Sequence, residues 1–153
     1  MENSNKDFIT LATEIEQLQE YLDLEHMRFQ DKFSYQIQID KSLDTDSILV
    51  PNMLIQPQLE NAIWHGLRYK ESNGLLILSV KQHEGYLQVI VDDNGIGLSK
   101  SKELKTKHQK IHQSRGLNNT LERIGLLNNL YKSKITIDIS EKTNGDTGVI
   151  VII

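Results

Sequence analysis

Leu75 to Gly97, LLILSVKQHEGYLQVIVDDNGIG, is the stretch that decides the architecture. Leu75–Gln82 and Tyr86–Asp92 are two apolar runs parted by His83, Glu84 and Gly85, the spacing of a β-hairpin. The second run feeds into Asp92-Asp93-Asn94-Gly95-Ile96-Gly97. A carboxylate fixed at a strand end can accept a hydrogen bond from an amine. The two glycines let the backbone turn tightly and approach a ligand with no Cβ in the way. That chemistry suits an adenine amino group beside Asp93. Taken alone, the same residues also fit a calcium-type loop or an ordinary Asp-Gly turn.

Working outward, Leu11, Ile15, Leu18 and Leu22 recur at helical spacing and predict a helix from Phe8 to about Gln30. Tyr35, Ile37 and Ile39 alternate with Gln36 and Gln38, the pattern of a half-buried strand. Pro51 to Leu67 reads as a helix, with Pro57 near its start, where a missing N–H costs little. Beyond the glycines, Ser99 to Gln113 is polar, lysine-rich and poorly periodic. It is long for a loop inside a compact domain, which marks it as functional or mobile. Leu117, Leu121, Ile124 and Leu127 or Leu130 give a further amphipathic helix. Ile135, Ile137 and Ile139 alternate within Lys134–Ser140, Asn144-Gly145 makes a tight turn, and Val149–Ile153 closes as a strand. Hairpins with helices between them predict an α+β fold: a two-layer α/β sandwich, its mixed, mostly antiparallel sheet carrying helices on one face.

Composition agrees with one packed domain: 153 residues, 38% hydrophobic and 25% charged. The net charge of −4, with signs interspersed, argues against nucleic acid as a partner. With no cysteine in the chain, disulfides, thiolate catalysis and cysteine-ligated zinc are excluded, and a reducing cytoplasm fits. No apolar run is long enough to span a bilayer. The abrupt ends read as those of a piece of something longer.

Three other constellations carry chemistry. In Gln56-Pro57-Gln58-Leu59-Glu60-Asn61-Ala62-Ile63-Trp64-His65-Gly66, Asn61 and His65 lie four apart and share a helix face. An Asn amide oxygen is a hard ligand suited to Mg²⁺, and Glu60 can orient or deprotonate a hydroxyl or water. The plain alternative is the surface of an amphipathic helix. Ser114-Arg115-Gly116-Leu117 is read as opening a helix, where free N–H groups and the helix dipole favour an anion and Arg115 adds a forked donor. A simple helix start explains it equally. Asn144-Gly145-Asp146-Thr147-Gly148-Val149 is by itself a hairpin turn.

In that order, these pieces resemble the GHKL nucleotide-binding superfamily and, within it, sensor histidine kinases of the autolysin-sensor-like branch. Gln56-Pro57-x-Leu59-Glu60-Asn61-Ala62-Ile63-x-His65-Gly66 is similar to that branch's N box, and Asp93-Asn94-Gly95-Ile96-Gly97 to its first glycine box. Gly116-Leu117-x-Asn119 with Glu122-Arg123-Ile124 is similar to the second glycine box. Tyr21-Leu22 and Arg28-Phe29 are similar to the helix that precedes the domain. The resemblance implies a Bergerat-type fold binding ATP and Mg²⁺. Asn61 would hold the metal, Asp93 the adenine amino group, and His65, Gly95, Ile96, Gly97, Arg115, Gly116, Leu117 and Thr147 would line the nucleotide. Ser99–Gln113 becomes the ATP lid and Glu60 the group that activates a histidine.

It further implies two parts. Residues 1–30 would be a helix linking to an absent dimerisation and phosphoacceptor segment, and 31–153 the ATP-binding catalytic domain. The partners implied are those upstream helices, paired in a homodimer, and a response regulator; the setting is the cytoplasm, with the parent protein at the inner membrane. The sequence departs from the pattern in three ways. Trp64 stands where many relatives carry lysine, Ser114 opens the second box, and the phosphoacceptor motif is absent. A non-catalytic nucleotide-binding module and a GHKL protein serine kinase are the alternatives.

Overall fold

A computed structural model describes residues 8–29, 32–65, 67, 74–83, 86–94, 107–131, 134–141 and 149–152. The elements in chain order are β1 (Phe8–Thr10), α1 (Leu11–Phe29), β2 (Phe33–Ile39), β3 (Leu49–Pro51), α2 (Gln56–His65), β4 (Gly74–His83), β5 (Tyr86–Asp93), α3 (Lys107–Tyr131), β6 (Asp138–Glu141) and β7 (Val149–Ile152). Five strands form one sheet in the order β2-β4-β5-β7-β6, and β1 pairs with β3 in a separate two-stranded ribbon. Only β2 and β4 run parallel; the other pairings in the main sheet are antiparallel. The expected mixed, mostly antiparallel sandwich is what forms.

Strand alternation decides where the helices sit. Leu76, Leu78 and Val80 of β4 stand opposite Asp93, Val91 and Val89 of β5, and all six are buried. Their neighbours Gln36 and Gln38 on β2 point to the other face and are exposed. The buried face receives α1 through Leu11, Leu18 and Leu22 and α2 through Leu59, Ala62 and Ile63, all in one apolar cluster. Helix α1 therefore packs, among the described residues, in the same core as α2 and the sheet.

Element starts differ from the sequence reading in three places. Residues 8–10 are strand, and helix begins at Leu11, because the Thr10 hydroxyl caps it, accepting from the Thr13 N–H at 3.2 Å. The helix expected from Pro51 begins at Gln56. Met53 takes a left-handed backbone (φ 61°), which ends β3 and turns the chain before the helix starts. The third helix begins at Lys107, inside the stretch expected to be a loop, and runs through Gly116 to Tyr131. Lys107–Gln113 contains no proline or glycine, and lysine and glutamine are good helix formers; one interior glycine costs only about 1 kcal/mol.

Two further details fix the sheet. An added Cβ at Gly74 would lie 2.7 Å from the Lys32 carbonyl oxygen and 2.9 Å from the Phe33 Cβ, so only glycine lets β4 start beside β2. The strand expected from Lys134 begins at Asp138, and before it the Asn128 amide takes the place of a strand neighbour. Its Oδ1 accepts from the Ile135 N–H at 2.8 Å and its Nδ2 donates to the Ile135 carbonyl at 3.0 Å.

Candidate active site

Asp93 is the last residue of β5 and is 1% exposed. It falls on the same face as Val89 and Val91, the face packed by helices. The strand end is held from behind by Asn94. Its Oδ1 accepts from the Leu75 N–H at 2.7 Å, and its own N–H donates to the Leu75 carbonyl at 3.1 Å. The carboxylate is thus anchored where the hairpin leaves the sheet, as the sequence pattern requires. Asp92 points to the opposite face.

Helix α2 packs against β5. Leu59 and Ile63, both fully buried, face the core, which leaves Asn61 half-buried and Glu60 exposed. The Gln56 side-chain amide donates to the Glu60 carboxylate at 3.5 Å, a weak tether along one turn. The structure therefore brings the Asn61 helix onto the face of the sheet that Asp93 terminates. Gly95, Ile96, Gly97 and Thr147 lie outside the described residues, as do the side chains of His65, Arg115, Gly116 and Leu117. The expectation that Arg115, Gly116 and Leu117 open a helix is corrected. They lie in the interior of α3, whose first-turn N–H groups belong to residues from Lys107 onward.

Sequence reasoning missed how fully α1 takes part. The Tyr21 hydroxyl lies 3.4 Å from Glu25 Oε2 and receives a hydrogen bond from the Trp64 indole. Burial first, then the charges of Glu25 and Glu60, push the phenol well above its ordinary range, so it stays protonated. Arg28 pairs with Glu25 at 3.5 Å and sits over the Trp64 ring at 5.4 Å, while Phe29 meets that ring edge-on at 5.2 Å. Trp64, where a lysine was the expected residue, is thus committed to packing α2 against α1.

Glu14 is a second surprise: an acid within the apolar stripe of α1, 1% exposed. It accepts the Met53 N–H and lies within electrostatic reach of Arg123, but burial outweighs both and raises its pKa to about 6. Glu14 falls on the same helix face as Leu11, Leu18 and Leu22 and is buried with them. Elsewhere, an open cleft of about 410 Å³ is lined by Leu49, Pro51, Leu54, Tyr86, Leu87 and Lys134 among others, at the end of β5 remote from Asp93. Among the described residues no three His, Cys, Asp or Glu side chains cluster as a metal site, and no helix is long and apolar enough to cross a membrane.

The architecture has close counterparts. The histidine kinase domain of the blue-light activated histidine kinase of Erythrobacter litoralis superposes with a TM-score of 0.57 at 17% identity, covering 94% of this chain and 60% of that one. The catalytic domain of the histidine kinase ThkA gives 0.58 at 15% identity over 95% and 92%. Full-length ShkA, crystallised in complex with AMPPNP, gives 0.62 at 14% identity over 94% and 29%. The chain thus has the fold of a histidine kinase catalytic domain. In sequence it is a relative of the sensor histidine kinase/phosphatase LytS of Staphylococcus aureus, 31% identical over 150 residues, which is 96% of this chain and 25% of LytS. The chain spans a quarter of the length of that relative. No family model matches it.

Proposed function

We propose that this chain is the ATP-binding catalytic domain of a two-component sensor histidine kinase. The observation that carries the proposal is Asp93. It is a buried carboxylate fixed at the end of β5, on the sheet face against which the Asn61 helix packs. A buried acceptor there selects a purine that offers an exocyclic amine. Gly95, Ile96 and Gly97 would form the adjacent wall. His65, Arg115, Gly116, Leu117 and Thr147 would contact the rest of the nucleotide. ShkA, which shares the fold, was crystallised with AMPPNP, a nucleotide analogue, and this supports the ligand class.

The half-buried Asn61 amide fits a Mg²⁺ ion that takes its other ligands from water and phosphate, as such ions do. When bound, the metal neutralises charge on the triphosphate. Glu60, exposed beside it, would accept a proton from, or orient, an incoming imidazole. The γ-phosphorus–oxygen bond to ADP breaks as a phosphorus–nitrogen bond to a histidine forms. That histidine belongs to a separate dimerisation segment, and the phosphoryl group then passes to a response-regulator aspartate. Catalysis rests on positioning and charge neutralisation. The domain would work in the cytoplasm, attached through α1 to a membrane-held dimer.

Isothermal titration with Mg-ATP tests the reading. Wild type binds, and Asp93→Asn, which turns an acceptor oxygen into a donor, weakens binding by about 10- to 100-fold, the worth of one hydrogen bond to a charged group. Equal affinity in both overturns the assignment. A second reading, nucleotide binding without transfer, is favoured by the commitment of Trp64 to α1 packing in place of a phosphate-facing cation. Phosphohistidine formed when the folded upstream segment is added in trans excludes it.

A further inference from the structure

Helix α2 meets its neighbours in two ways. Against the sheet it presents Leu59 and Ile63, fully buried in an apolar cluster. Against α3 it presents Gln58, an amide that is 1% exposed. Gln58 Nε2 donates to the Leu54 carbonyl at 3.3 Å and to Thr120 Oγ1 at 3.4 Å, both long. Its Oε1 is buried with no hydrogen-bond partner among the described residues. A buried amide oxygen left that way costs stability, and an apolar side chain of similar size would fill the position without the cost.

The neighbouring turn of α3 repeats the arrangement. Arg123, one turn beyond Thr120, lies in electrostatic reach of Glu14, whose Oε2 is also buried without a hydrogen-bond partner. Past it, Ile124 and Leu127 are buried and apolar. Among the described residues, the inward face of α3 thus carries Thr120 opposite Gln58 and Arg123 toward Glu14, with Ile124 and Leu127 apolar beside them. Apolar knobs interlock in one register, whereas an amide facing a hydroxyl that can rotate keeps its bond over a range of positions. Gln58 also stands two residues before Glu60 and three before Asn61 on the same helix.

We propose that Gln58 is a positioning residue that, through Thr120, sets the helix bearing Glu60 and Asn61 against α3, so that the two walls of the nucleotide site adjust together. The inference rests on reading the site as one for Mg-ATP. A residue kept for coupling rather than stability leaves a signature: its apolar replacement keeps or raises stability while function falls.

The test uses the full chain with Gln58→Met, Thr120→Val, the two combined, and Thr120→Ser, each followed by thermal unfolding and Mg-ATP titration. Gln58→Met and Thr120→Val unfold at or above the wild-type temperature and bind Mg-ATP about tenfold more weakly. The double variant binds no more weakly than either single one. Thr120→Ser, which retains the hydroxyl, binds as wild type does. Should Gln58→Met fail to fold, the near-isosteric Thr120→Val carries the test. Wild-type affinity in both single variants, or losses that parallel losses of stability, overturns the inference alone. A wild-type chain that does not bind Mg-ATP overturns the nucleotide reading as well.

Discussion

The two sides of helix α2 differ in kind. Its sheet side is apolar and closed, with Leu59 and Ile63 fully buried. On its α3 side stands one amide with a spare oxygen, which reaches Thr120 by a single hydrogen bond of 3.4 Å and ties back to the Leu54 carbonyl at 3.3 Å. The first arrangement holds Asn61 to the face that Asp93 terminates; the second joins α2 to α3 through one long polar contact. The contrast teaches that the buried polar residue of this helix marks its contact with another helix, while its contact with the sheet is wholly apolar.

The largest effects belong to the rigid side. Leu59→Ala leaves a cavity under α2 and lowers stability by about 2–5 kcal/mol in chemical denaturation, whereas Gln58→Met lowers it by nothing measurable. Equal losses would erase the distinction between the sides. Gly74→Ala comes next, because its Cβ would meet the Lys32 carbonyl oxygen at 2.7 Å and force β4 from β2. A loss of about 1–3 kcal/mol is expected, comparable to overpacking a core. No loss would mean that the strands part without cost.

The smallest effect sharpens the polar side. Burial pushes the Glu14 carboxyl from its ordinary 4.5 up to about 6, so the folded chain holds its proton more tightly. Stability therefore falls as pH rises from about 4.5 to about 6 and levels off above. The loss is on the order of 1 kcal/mol, and Glu14→Gln flattens that part of the profile. A slope of the same size in the variant would assign it to another group.

Much of this was legible in the chain because periodicity reports burial. The two apolar runs of 75–92, parted by His83, Glu84 and Gly85, gave the central hairpin, and the four-three-four spacing of Leu11, Ile15, Leu18 and Leu22 gave α1. The place of Asp93 at a strand end was legible for a related reason, since the apolar run stops just before the two glycines that follow it. Periodicity says nothing about strands of three residues, so β1 and β3 stayed hidden. It also misplaced the start of α3, because Lys107–Gln113 has helix propensity but no apolar stripe. Gln58 and Glu14 were invisible for the opposite reason. Polar residues on a helix read as solvent-facing, and only tertiary packing shows them buried. The left-handed turn at Met53 carries no glycine to announce it; the Glu14 carboxylate accepts its N–H.

The most direct measurement is a crystal structure of this chain grown with Mg²⁺ and a non-hydrolysable ATP analogue. The adenine amino group should lie within hydrogen-bonding distance of the Asp93 carboxylate, with the Asn61 amide oxygen on the metal, in one continuous cavity between α2 and β5. Nucleotide bound elsewhere, or Asp93 and Asn61 opening into separate cavities, would contradict the account.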